Sequence, residues 1–136
     1  MIKPKTKEII QDLAKKYHIK VVMIFGSLAK QREQLKSDID LAILADNDFY
    51  QRNFSSFSYD LMKAEEIEQR EIELVPISNF NPLLLFNIFN YGIPIYIENK
   101  EEYYRLHNWA RFSFEDNRRF FSGHEKLLQT RMERLK

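Results

Sequence analysis

Asp38 and Asp40 stand one residue apart in the run "DIDLAIL", residues 38–44, where every other position is apolar. Alternate residues of a strand point to the same side. In an extended segment the two carboxylates therefore project together. Like charges that close repel, and partial burial raises their pKa values, so the pair calls for a cation. The chain has no cysteine and three histidines. An oxygen-bound hard cation such as Mg²⁺ fits, since it takes one or two carboxylates and completes its shell with water and substrate phosphates. Ten residues before the pair stands Gly26-Ser27. Glycine lets backbone approach a ligand closely. Ser27 is placed to start a helix, whose free N–H groups and partial positive charge suit a phosphate. Glu73 interrupts another apolar run, "EIELVPI", residues 71–77. A neighbouring strand could bring it to the pair as a metal ligand or as a base toward an attacking hydroxyl. Together these groups describe a site for a nucleoside triphosphate.

The competing reading is that Asp38 is an exposed strand-start residue and Asp40 an ordinary edge acid. The full spacing weighs against it. Gly-Ser, ten residues, then Asp-x-Asp arises by chance in a chain this long on the order of once in a thousand.

Positioning such groups needs a strand, a turn, a helix and a second strand, and the sequence supplies them in that order. "VVMIF" (21–25) reads as a short buried strand ended by Gly26. "SLAKQREQ" (27–34) reads as a short helix capped by Ser27, and residues 38–44 as the second strand. Before them, Ile9, Ile10, Leu13, Ala14 and Tyr17 recur at helical spacing over 6–17. "ADND" (45–48) reads as a loop, and Phe54, Phe57, Leu61, Ala64 and Ile67 mark a helix over 54–70. Residues 71–77 form a third strand, with Ile72 and Leu74 on one face and Glu71, Glu73 and Val75 on the other. Asn81-Pro82 opens a helix closed by Gly92, residues 93–97 are a fourth strand, and a helical tail runs from about residue 100. The expectation is a small α/β (α+β) domain: a mixed sheet of about four strands flanked by helices.

Length and composition agree. The 136 residues favour one domain, with a core over about 1–97 and a tail over about 100–136. Lys and Arg number 21 against 20 Asp and Glu, a net charge of +1, which gives no case for direct nucleic-acid binding. No run approaches a membrane span, and the charged, amphipathic N-terminal stretch does not resemble a signal peptide. The expectation is a cytoplasmic protein.

"GSLAKQREQLKSDIDL" resembles the signature of the DNA polymerase beta-like nucleotidyltransferase superfamily. Length and layout resemble its minimal nucleotidyltransferase branch, which includes the antitoxin partners of HEPN-domain toxins. The motif covers residues 22–44, and a weaker match reaches about residue 97. The resemblance implies a mixed sheet flanked by helices. It implies that Gly26 and Ser27, with Lys30 and Ser37 in the same stretch, hold the nucleotide. It further implies that Asp38 and Asp40 hold two Mg²⁺ ions and that the third acid is Glu73. The implied reaction moves AMP from ATP to a hydroxyl, which in the toxin-linked branch can be a tyrosine of the partner RNase. Four positions depart from the pattern: Lys30-Gln31 where Arg-Gly is usual, Leu28 where a polar or basic residue is usual, and Glu73 where Asp is usual.

Arg119 and His124 reproduce the Arg-x4-His spacing of HEPN RNases, but the surrounding chain does not read as an all-helical bundle. Tyr103 and Tyr104 raise self-modification, against the plainer reading of packing or interface. The segment 82–91 is apolar nearly all round. Tyr103, Tyr104, Leu106, Trp109, Phe112, Phe114, Phe120 and Phe121 cannot share one narrow stripe. That surplus points either to a partner surface or to a helix pair that wraps itself, and the resemblance favours a HEPN partner; a homodimer is also compatible. The alternatives to the enzyme are a binding module that neutralises a toxin by contact and a nucleotidyltransferase acting on a small molecule.

Overall fold

A computed structural model describes residues 2–25, 38–77 and 82–116. Helix α1 (Pro4–Lys16) starts two residues before the periodic stretch, because Pro4 occupies a first-turn position where its missing N–H costs nothing. It ends in a Schellman motif. The Ile19 N–H donates to the Ala14 carbonyl at 2.9 Å and the His18 N–H to the Lys15 carbonyl at 3.3 Å. His18 takes the left-handed conformation (φ 56°) that glycine usually fills there. The motif turns the chain into strand β1 (Val21–Phe25).

Strand β2 (Ile39–Leu44) runs antiparallel to β1, with Phe25 opposite Asp40 and Val21 opposite Leu44. Helical winding then begins at Asn47, earlier than the loop expected over 45–48. Asp46 accounts for the early start, as its Oδ1 accepts the Phe49 N–H at 3.1 Å, an N-cap bond. A π-helical turn (Phe49–Asn53) leads into α2 (Phe54–Asp60) and α3 (Met62–Glu68). The expected single helix over 54–70 is thus two segments joined at buried Leu61. Hydrogen bonds still span the joint, from the Leu61 N–H to Phe57 and from the Glu65 N–H to Leu61, both 3.0 Å. This helical crossover carries the chain to strand β3 (Ile72–Pro76), which pairs parallel with β2. A parallel pair needs such a crossover. Helix α4 (Pro82–Tyr91), strand β4 (Ile93–Ile97) and helix α5 (Lys100–Asp116) follow.

The sheet order is β3-β2-β1-β4. Its two faces bury two clusters. One joins Val22, Ile24, Ile39, Leu41 and Ile43 to Ile10 and Ala14 of α1 and to Phe49, Phe57 and Leu61 of the crossover. Edge-to-face rings line this side, with Phe49 5.5 Å from Phe57 and Tyr17 5.7 Å from Phe57. The other joins Val21, Met23 and Ala42 to Leu85, Ile88 and Phe89 of α4 and to Tyr103, Leu106 and Ala110 of α5. The strand period of two sorts the residues: odd positions of β2 face the crossover, even positions face α4 and α5. In β4 the register slips so that Ile95 is an extra residue between the partners of Val22 and Met23. Ile95 and Tyr96 consequently both join the α1 side. Among the described residues no helix is long and apolar enough to cross a membrane.

Candidate functional site

The face that β2 turns toward α4 and α5 carries Ala42 and Leu44 in the core and Asp40 and Asp38 beyond it. The last two continue the same alternation toward the strand's beginning. β1 ends beside them, since Phe25 is the partner of Asp40. Gly26-Ser27 come next in the chain. On the other side of β2, Glu73 is the registered partner of Asp40. Parallel strands lie about 4.8 Å apart, and in register they present side chains to the same face. Glu73 therefore joins Asp40 on the α4–α5 side, while its neighbours Ile72 and Leu74 pack on the other side. Three adjacent strands thus bring Phe25, Asp40 and Glu73 into one row at one end of the sheet.

Asp40 is half-buried, whereas Asp38 and Glu73 are exposed. Burial pushes the Asp40 carboxyl above its ordinary pKa. Repulsion from Glu73, a hydrogen bond with Glu73 and repulsion from Asp38 push the same way. Without a cation, this crowding favours the neutral form of Asp40. Among the described residues no three acidic or imidazole side chains gather closely enough to hold a metal by themselves. The donor chemistry nonetheless fits a hard cation of the Mg²⁺ kind, which needs only one or two carboxylates from the protein. The surplus negative charge at Asp40 is what such an ion would neutralise.

Gly26, Ser27, Lys30 and Ser37, expected at the nucleotide, lie outside the described residues, as do Arg119, Phe120, Phe121 and His124. Of the two tail tyrosines, Tyr103 is buried, with its hydroxyl pushed up in pKa by that burial and then by Tyr104. Tyr104 is exposed. His107 packs rather than ligates, stacked on Phe89 at 5.8 Å.

One contributor had no sequence signal. Glu65 of α3 accepts the Ile72 N–H on its Oε2 at 3.2 Å, at the start of β3. Glu65 and Glu71 also line a concavity of about 810 Å³, together with Tyr59, Met62, Lys63 and Arg70. That concavity belongs to the outer side of α2 and α3. None of the three site acids lines it.

On the outward side of α5, Arg105, Trp109 and Phe112 recur at four- and three-residue steps, opposite the buried Tyr103, Leu106 and Ala110. Trp109 is 40% and Phe112 68% exposed, large apolar side chains left outside both clusters.

A family model described as "Polymerase beta, Nucleotidyltransferase" matches residues 7–101. Among curated proteins, none matches the chain. Solved structures similar in fold include a toxin–antitoxin complex with AMP-PNP, at 15% identity and a TM-score of 0.63, covering 93% of this chain and 98% of that one. The toxin–antitoxin complex MntA-HepT matches at 15% identity and a TM-score of 0.61, covering 96% and 99%. A tri-AMPylated Shewanella oneidensis HEPN toxin in complex with its MNT antitoxin matches at 15% identity and a TM-score of 0.59, covering 94% and 97%.

Proposed function

The chain belongs to the polymerase beta nucleotidyltransferase family, and from that premise we propose that it is an antitoxin enzyme. It moves AMP from ATP, with Mg²⁺, onto a tyrosine hydroxyl of a cognate HEPN RNase toxin. The observation that carries the reading is the row Phe25–Asp40–Glu73, with Gly26-Ser27 next in the chain. Likeness in fold to the chains of MNT–HEPN complexes supports the choice of acceptor.

Asp38 and Asp40 are the residues that hold Mg²⁺, with Glu73 beside them. The ion, when bound, offsets charge on the phosphate oxygens. Gly26 and Ser27 seat the triphosphate. Glu73 orients the acceptor hydroxyl and takes its proton. The hydroxyl oxygen forms a bond to the α-phosphorus in line with the bond that breaks, and pyrophosphate leaves with that bond's electrons.

A second reading is favoured by the outward face of α5. Trp109 and Phe112 are independent of the acids, so contact through them could neutralise a toxin without turnover. A transfer assay separates the two. The protein is mixed with Mg²⁺, α-labelled ATP and the cognate toxin, and label is followed by gel and mass spectrometry. Label on a toxin tyrosine, lost in Asp38→Ala/Asp40→Ala, is the expected result. A stoichiometric inhibitory complex with no label from any of the four nucleotides would leave the contact reading in its place.

A further inference from the structure

The peptide unit joining Glu71 to Ile72 is held on both sides. Its carbonyl accepts the Ile39 N–H at 2.8 Å, so it faces β2. In a trans peptide the N–H points opposite to the carbonyl. The Ile72 N–H therefore faces away from β2, along the outer edge of the sheet. An edge strand ordinarily leaves such a donor to water or to another chain. Here it donates to Glu65 Oε2 at 3.2 Å. Glu65 also fixes the other end of the same turn, for its carbonyl accepts the Arg70 N–H at 3.3 Å. Just before Arg70, Gln69 ends α3 in the left-handed conformation (φ 55°). The turn is thus strapped to one residue of α3 by its backbone and by its side chain. The residue after Ile72 is Glu73, the registered partner of Asp40 across the strands.

We propose that Glu65 is a positioning residue for the acid pair: by accepting the Ile72 N–H it fixes the first residue of β3 and so holds Glu73 opposite Asp40. The inference rests on the reading of Glu73 as an acid of the site. Glu65 touches neither substrate nor Asp40 in this account. It acts through one backbone bond, so a side chain of the same reach that still offers an acceptor oxygen preserves the effect. Glutamine does this and alanine does not.

The test compares Glu65→Ala with Glu65→Gln in the full chain, by steady-state transfer from ATP with Mg²⁺ and the cognate toxin. Glu65→Ala is expected to lower kcat about 10- to 100-fold, as small misplacements of a reacting group do. KM for ATP stays within about twofold. Glu65→Gln is expected to stay within about threefold of wild type in kcat. Amide hydrogen exchange gives a readout that needs no turnover. The Ile72 amide should exchange faster in Glu65→Ala and at the wild-type rate in Glu65→Gln, while the central Leu41 amide keeps its protection in both. Wild-type kcat and Ile72 protection in Glu65→Ala would overturn the proposal. So would a Glu65→Gln variant as impaired as Glu65→Ala, since charge rather than the bond would then matter. If wild type transfers no nucleotide, the enzymatic reading falls, and the Ile72 exchange rates decide by themselves whether Glu65 holds the start of β3.

Discussion

Asp40 and Glu73 are registered partners on neighbouring parallel strands, although both are carboxylic acids. The fold crowds together two groups that would separate in water, and burial first, then this crowding, raise the Asp40 pKa. The direction of that shift fixes a stability prediction. An acid whose folded pKa lies above its unfolded value binds protons more tightly in the folded state. Stability then falls as pH rises from the unfolded toward the folded pKa. Asp40→Asn removes the penalty. The variant should melt at a higher Tm than wild type at neutral pH, with the gap closing below the ordinary carboxylate range. Thermal melts from acid to neutral pH measure it. Mg²⁺ should raise the Tm of wild type and leave Asp40→Asn unchanged.

His18 is a non-glycine residue at the left-handed position of a Schellman motif. A Cβ there is crowded by the adjacent carbonyl, at a cost of about 1–2 kcal/mol. Glycine lifts that strain but adds freedom to the unfolded chain. His18→Gly should stabilise the protein by about 0.5 kcal/mol net, read as a shift of the urea midpoint with an unchanged slope.

Gly92 follows α4 where there is no room for a side chain. A Cβ would fall 2.1 Å from the Ile88 carbonyl oxygen and 3.2 Å from that of Ile24. The Ile88 oxygen already accepts the Gly92 N–H at 2.8 Å, so it cannot swing away without breaking that bond. Gly92→Ala should destabilise by about 3 kcal/mol, or prevent folding, as judged by denaturation and near-UV circular dichroism.

Trp109 and Phe112 lie outside both cores, so a double substitution to serine should shift stability by no more than about 0.5 kcal/mol. If α5 contacts the toxin, the same variant should bind it more than about tenfold more weakly, as loss of aromatic anchors does. Calorimetric titration against the toxin checks this.

Much of this architecture was written in local patterns. β1, β2, β3 and β4 are short apolar runs between turn signals, and parity placed Asp38 with Asp40 on one face of β2 and Glu73 on the face of β3 away from Ile72 and Leu74 before any pairing was known. α4 follows from Pro82 and Gly92. What escaped was either non-local or a matter of small energies. The joint at Leu61 and the π-helical turn before it reflect how the crossover seats Phe49 and Phe57 on the sheet, not a breaker in the sequence. The early start at Asn47 was legible in Asp46, an N-cap residue type inside a stretch read as loop. Strand order decides that Glu73 neighbours Asp40, and no spacing within the chain reveals it. Glu65 carries no signal in the sequence, because its contact depends on which way a single peptide faces.

The parallel pairing of β2 with β3 also fixes when the site comes into being. The β1–β2 pair is close in sequence, whereas Glu73 reaches Asp40 only after the whole helical crossover has folded onto the sheet. Contacts across so long a loop form late, because closure must precede any gain from the pairing. A nascent chain that has left the ribosome only through α3 carries Asp38 and Asp40 but not Glu73, and the row of acids is complete only when β3 docks. If the proposed function holds, no turnover precedes that docking, and synthesis of the helical crossover sets the earliest moment at which the site can work.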